Sequence, residues 1–174
     1  MCGEIPHWTK EDFARNVIYV SDEDWRFLNE LLNTEIIKVK YLPGSPHLTI
    51  NSDGSWIDLY TYEDTVLQSG DFKIISLGVA MKLPEGYEAN FVPRSSTFKR
   101  WGVLQTNCYS VIDPTYCGDS DIWGYPVYAT RAVTIPKGTR LCQFRINRVQ
   151  PVIRFEEVST LGNTDRGGFG TSGA

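Results

Sequence analysis

Turn-forming residues return at short intervals along most of this chain. Pro-Gly-Ser-Pro at 43–46, Ser-Asp-Gly-Ser at 52–55, Gln-Ser-Gly-Asp at 68–71, Pro-Glu-Gly at 84–86 and Pro-Lys-Gly at 136–138 each interrupt regular structure. Glycine there supplies positive φ and proline withholds a backbone donor. The intervening segments are short and β-patterned: IIKVKYL (36–42) and IDLYTY (57–62) alternate, and FKIISLGVAM (72–81) is dense in β-branched residues. Many short strands with almost no helical periodicity predict an all-β sandwich, jelly roll or barrel.

Helical signals are confined to the first third. Ser21-Asp22-Glu23-Asp24 has the form of an N-cap with acids in the first turn, and Trp25, Leu28 and Leu31 or Leu32 follow at helical spacing. A short amphipathic helix over about 22–33 is expected. At the other end, GNTDRGGFGTSGA (162–174) contains five glycines in thirteen residues, which predicts a flexible tail rather than a strand or helix.

At 174 residues, with 41% hydrophobic and 22% charged residues, the chain is expected to form one soluble globular domain with its own core. No apolar run approaches the length of a membrane span. The start, MCGEIPHWTK, lacks the basic-then-apolar pattern of a secretory signal. Cys2, Cys108, Cys117 and Cys142 show no zinc-type pairing. A reducing cytoplasm is the default expectation. The net charge of −4 argues against binding nucleic acid through a basic face. A polyanion would have to be held by a few focused cations, backbone amides or a metal ion, which suits a small phosphorylated ligand better than a polymer.

Five separated stretches carry chemistry, and each also has a plain structural use. Asp58, within Trp56-Ile57-Asp58-Leu59-Tyr60, needs a partner or a metal if buried; otherwise it is an outward-facing acid on an amphipathic strand. Pro93-Arg94-Ser95-Ser96 offers a planar cation and two hydroxyls to phosphate oxygens, or simply ends a strand or caps a helix. In NCYSVIDPTYCGD (107–119), Asp113 could serve as general base for water and Tyr116 could pack a sugar or base; an Asp-Pro turn with a core-edge tyrosine is equally ordinary. Gln143, in GTRLCQF (138–144), could address a ligand or a neighbouring loop. In the tail, Arg166, Phe169, Thr171 and Ser172 among glycines could wrap a phosphate chain, although the spacing and lysine of a P-loop are absent.

Taken in order, SWIDLYTYED, PRSS, NCYSVIDPTYCG, GTRLCQF and RGGFGTSG resemble the five motifs of the homotrimeric dUTP pyrophosphatase (dUTPase) family. The segment LPEGYEANFVPRSSTFKRWGV is similar to the family between its first and third motifs. The resemblance covers roughly residues 36–174, and residues 1–35 lie outside it. It implies three parts: an N-terminal extension (1–35), a distorted jelly-roll (dUTPase-like β-clip) domain (36–160) and a C-terminal lid tail (161–174).

The activity implied is attack of water on the α-phosphorus of dUTP, giving dUMP and pyrophosphate. This would limit uracil incorporation into DNA and supply dUMP for thymidylate synthesis. The resemblance further implies Mg2+ on the triphosphate and a homotrimer whose sites are shared between subunits. By matching position, Asp113 is expected as the base for water and Tyr116 as the wall against the deoxyribose. Asn107, with backbone groups near Ile112, would read the uracil edge. Arg94, Ser95, Ser96 and Gln143 would hold phosphates, and Asp58 would reach the metal through its waters. Arg166, Phe169, Gly170, Thr171 and Ser172 would close as a lid.

Four positions depart from the family pattern. Ser110 stands where glycine is usual, Pro114-Thr115 replace a small residue and a second acid, Ser55-Trp56 replace Ala-Gly, and the tail is two residues shorter between Arg166 and Phe169. A dCTP deaminase of similar fold is a rival, but that chemistry uses a glutamate soon after the hairpin, and Gly118-Asp119-Ser120-Asp121 supplies none. A regulatory binding protein on the same scaffold, with a partner contacting residues 1–35, is a second alternative. No nucleic acid or membrane partner is expected.

Overall fold

The structure, a computed structural model, describes residues 34–50 and 54–167 together with Arg26 and Leu28. Six strands, β1 (Lys38–Tyr41), β2 (Ile57–Tyr60), β3 (Thr65–Leu67), β4 (Phe72–Ser76), β5 (Val79–Lys82) and β6 (Tyr87–Pro93), precede a short helix, α1 (Thr97–Trp101). Five more follow: β7 (Val103–Gln105), β8 (Ser110–Ile112), β9 (Gly124–Ala129), β10 (Val133–Ile135) and β11 (Arg140–Arg148). The all-β expectation holds. Arg26 and Leu28 are helical, in keeping with the helix expected over 22–33; the rest of that segment lies outside the described residues.

All the pairings are antiparallel. A four-stranded sheet runs β2-β11-β6-β8 and a three-stranded sheet β4-β9-β7, with two-stranded pairs β1-β5 and β3-β10. The core lies where the two larger sheets contribute their apolar faces. Leu59, Phe91 and Phe144 come from the first, and Ile75, Val103, Tyr125 and Val127 from the second; each is at most 1% exposed. Trp123, just before β9, joins them. Its ring meets Phe144 edge-on at 5.3 Å between centroids, and Phe91 at 6.3 Å, within the range where aromatic pairs add to simple burial.

Two local features differ from what periodicity predicts. FKIISLGVAM does not form one strand: the chain leaves β4 at Leu77-Gly78 and enters β5 in another sheet. Gly78 has φ +68, and a Cβ there would run into Ser45 and Tyr62; only glycine fits so close an approach. Its carbonyl accepts the Ser45 hydroxyl and the Leu42 amide, both at 2.9 Å. Helix α1, five residues long, is too short to show a repeat. It ends at Gly102, whose φ of +63 lets its N–H reach the Phe98 carbonyl.

After β11, residues 149–167 contain no strand or helix. They carry Val152, Phe155, Val158 and Leu161 with their side chains exposed.

Candidate active site

Strand register creates the first cluster. Across β2, β11 and β6, Asp58, Gln143 and Val92 lie in one row. The flanking rows send Leu59, Cys142, Phe91 and Phe144 into the core, so the pleat turns Asp58 and Gln143 to the opposite face. An irregularity between Arg140 and Cys142 makes this possible. The extra residue, Leu141, is buried along with Cys142, and the bulge resets the alternation before Gln143.

Arg94, the residue after β6, places its Nε 2.8 Å from Asp58 Oδ1, while Arg140 Nη1 lies 3.3 Å from Asp58 Oδ2. One carboxylate thus orients two guanidinium groups, and the cluster keeps a net positive charge. The Asp58 and Arg94 side chains are 21% and 27% exposed, so the pair is screened less than a surface contact. Arg140 was not singled out from the sequence, although it lies within GTRLCQF; its place beside Asp58 depends on strands 82 residues apart.

Ser95 and Ser96 form the turn between β6 and α1. Ser96 occupies the N-cap position without a side-chain capping bond. Thr97 performs the anchoring instead. Its hydroxyl donates to the Leu141 carbonyl at 2.7 Å and accepts the Arg94 N–H at 3.1 Å, with the residue 1% exposed. The turn bearing Arg94 and the serines is therefore tied to β11.

The second cluster is a cleft of about 430 Å³ lined by Asn107, Ser110, Ile112, Asp113 and Tyr116, together with Ile74, a size that suits a small ligand. Asn107 and Cys108 lie in the turn joining β7 to β8, where Cys108 adopts φ +54, the one non-glycine positive φ among the described residues. Asp113 follows directly on β8 and is solvent-exposed. Thr115 donates both its hydroxyl (2.5 Å) and its N–H (2.8 Å) to Asp113 Oδ1. The hydroxyl bond first, then the amide bond, hold the Asp113 carboxyl below its ordinary value against a small opposing effect of burial. Tyr116 donates its N–H to the Asp113 carbonyl at 2.9 Å and its hydroxyl to the Ile122 carbonyl at 3.3 Å, which fixes the ring beside the acid.

The sequence thus pointed to two groups that one chain keeps apart. Ile112 pairs with Ala89, so Asp113 falls level with Glu88, whereas Arg94 lies six residues further along β6. At about 3.3 Å per residue this is roughly 20 Å of strand. Arg166 is exposed in the segment after β11. Phe169, Gly170, Thr171 and Ser172 lie outside the described residues. Among the described residues, no three His, Cys, Asp or Glu side chains gather as a metal cage, and no helix is long and apolar enough to cross a membrane.

The family model for dUTPase matches residues 48–173. The chain is 51% identical over 138 residues to the SPbeta prophage-derived deoxyuridine 5'-triphosphate nucleotidohydrolase YosS of Bacillus subtilis, covering 79% of this chain and 97% of that protein. It is 34% identical over 146 residues to the deoxyuridine 5'-triphosphate nucleotidohydrolase of Finegoldia magna, covering 82% and 99%. Its fold is similar to that of a mutant dUTPase of Staphylococcus bacteriophage 80alpha solved with dUpNHpp, with TM-score 0.68, 20% identity, and 81% and 100% of the two chains covered. A mutant dUTPase from phage phi11 of S. aureus, described with a structural Mg(II) ion, superposes with TM-score 0.63 at 17% identity, covering 72% and 98%.

Proposed function

The chain belongs to the dUTPase family, with the jelly-roll β-clip fold of its structural neighbours, and hydrolyses dUTP to dUMP as a dUTP diphosphatase; from that premise we propose how its own residues divide the work. Asp113 holds and deprotonates the attacking water with Oδ2, the oxygen that Thr115 leaves open. Its anionic form is secured by the Thr115 bonds, so orientation of the water matters as much as proton affinity. Tyr116 packs against the deoxyribose and leaves no room for a 2′-hydroxyl. Asn107 and the backbone at Ile112 read the uracil edge.

Arg94, Ser95, Ser96 and Gln143 bind the phosphates, and Arg140, held by the same Asp58, adds a second cation to that bank. Arg166, Phe169, Gly170, Thr171 and Ser172 close over the substrate as a lid, excluding bulk water once the ligand is in place. Magnesium would be held mainly by the triphosphate, with Asp58 the residue that would reach it through its waters. Each Asp58 oxygen keeps a lone pair beyond its contact with Arg94 or Arg140 and could accept from waters of an ion carried by the triphosphate, whose negative charge would offset repulsion from the two arginines. When bound, the ion would neutralise phosphate charge that otherwise repels the nucleophile.

The separation of Asp113 from Arg94 by roughly 20 Å of strand is the observation that carries the second half of the proposal, a homotrimer in which each site draws on more than one chain. Two further features support it. On the outer face of the three-stranded sheet, Phe72, Tyr128 and Leu104 form one row by register, next to Ile74. All four are 44–60% exposed, an apolar surface of the kind that oligomers cover. The segment after β11, with its exposed Val152, Phe155, Val158 and Leu161, would lie on a neighbouring subunit and carry the lid to its site.

Complementation tests the shared site. Asp113→Asn and Arg94→Ala variants, each inactive alone, should regain dUTP turnover when unfolded together and refolded as mixed oligomers. Absence of any recovery in mixtures shown to contain both chains would place each site within a single chain. A regulatory protein partner contacting residues 1–35 is a second reading. Comparing partner capture with and without them tests that reading.

A further inference from the structure

The amide groups behind the cleft form a chain of hydrogen bonds with a fixed direction. It begins at the backbone carbonyl of Phe91 in β6, which can only accept. Gln105 Nε2 lies 3.3 Å from this carbonyl, 3.0 Å from Asn107 Oδ1 and 3.0 Å from Ser110 Oγ, so its two N–H groups are shared among three acceptors. The Ser110 hydroxyl in turn donates to Asn107 Oδ1 at 3.0 Å. The Asn107 oxygen therefore accepts twice, and its NH2 group makes no hydrogen bond to the described residues.

The opposite arrangement is penalised at the Phe91 carbonyl, and turning either amide alone also breaks the link between them. Turning Gln105 over would set its oxygen against the Phe91 oxygen. Turning Asn107 alone would set NH2 against NH2. In this orientation Gln105 Oε1 is buried and has no hydrogen-bond partner among the described residues, so the orientation rests on the contact with the Phe91 carbonyl. Ser110 is 2% exposed and opposite Phe91 in the β6–β8 ladder, so its hydroxyl is kept from water and finds its partners within this network.

We propose that Gln105 and Ser110 are specificity-determining positioning residues, which fix the Asn107 amide so that its NH2, and not its oxygen, faces the base. A carbonyl oxygen of uracil accepts from that NH2. Cytosine presents an amino group at the corresponding position, and donor then meets donor with no water to relieve it. Ser110 stands where the family usually has glycine, so in this chain the hairpin itself supplies a second donor to the Asn107 oxygen. The proposal rests on the assignment of Asn107 as reader of the base.

The test is the ratio of kcat/KM for dUTP to that for dCTP, with dCTP measured as a competitive inhibitor if its turnover is too slow. Ser110→Ala and Gln105→Leu should each lower this ratio roughly tenfold or more, chiefly through a higher KM for dUTP, with kcat little changed. In an Asn107→Ala background neither change should lower the ratio further. Ser110→Ala removes one oxygen atom and decides the matter even if Gln105→Leu fails to fold. An unchanged ratio in Ser110→Ala, or an equal fall with and without Asn107, would overturn the proposal. Failure of the unaltered protein to hydrolyse dUTP would instead overturn the assigned activity.

Discussion

Arg94 Nε lies 2.8 Å from Asp58 Oδ1, so the cation best placed for a phosphate is held by an acid from a strand two positions away in the same sheet. Asp58→Asn keeps the shape and removes the charge. It should lower kcat/KM for dUTP about tenfold, equivalent to 1.4 kcal/mol. Because both partners are partly solvated, stability should fall by only about 1 kcal/mol. Steady-state kinetics beside chemical denaturation checks the split. A large stability loss with unchanged kinetics would make the pair purely structural.

Thr115 donates twice to one oxygen of Asp113, and these bonds lower the carboxyl's pKa. Removing the hydroxyl in Thr115→Val should let that pKa rise toward the ordinary carboxylate range. The acid limb of the pH dependence of kcat/KM should then move to higher pH, and Thr115→Ser should restore it. The linkage to stability has the matching sign. A depressed pKa stabilises the fold above the unfolded-state value, and that contribution is lost as pH falls through the folded-state value. Thr115→Val should therefore lose less stability on acidification than the unaltered protein.

The core prediction concerns Phe144, which is 1% exposed and lies against the Trp123 ring. Phe144→Ala should cost about 3–5 kcal/mol, measured as the shift in denaturation midpoint at fixed protein concentration. The same strand carries Gln143 and Arg140, so phosphate binding should weaken with it. A loss below about 1 kcal/mol would mean that the aromatic cluster does not carry the core.

Much of the architecture was legible because it is local. Turns such as Gln68–Asp71 and Pro136–Gly138 announce themselves by residue type, and their glycines adopt the positive φ that such turns need. Helix α1 was not legible, since Thr97–Trp101 is too short for a period of 3.6 residues to show. Nor was the division of FKIISLGVAM, which depends on Ser45 and Tyr62 crowding Gly78. For the site, motif order selected the residues but not their company. Arg140 joins Asp58 only through the β2–β11 ladder. The direction of the Asn107 amide originates in a carbonyl of β6, which no spacing within the hairpin reveals.

The most direct measurement is pyrophosphate release by the unaltered protein and by Asp113→Asn, over dUTP, dTTP, dCTP and UTP with magnesium present. The account predicts that dUTP alone is turned over efficiently. It also predicts that the Asn variant, folded and still able to bind dUTP, loses at least about a hundredfold in kcat. Comparable turnover of dCTP, or undiminished activity in the Asn variant, would contradict it.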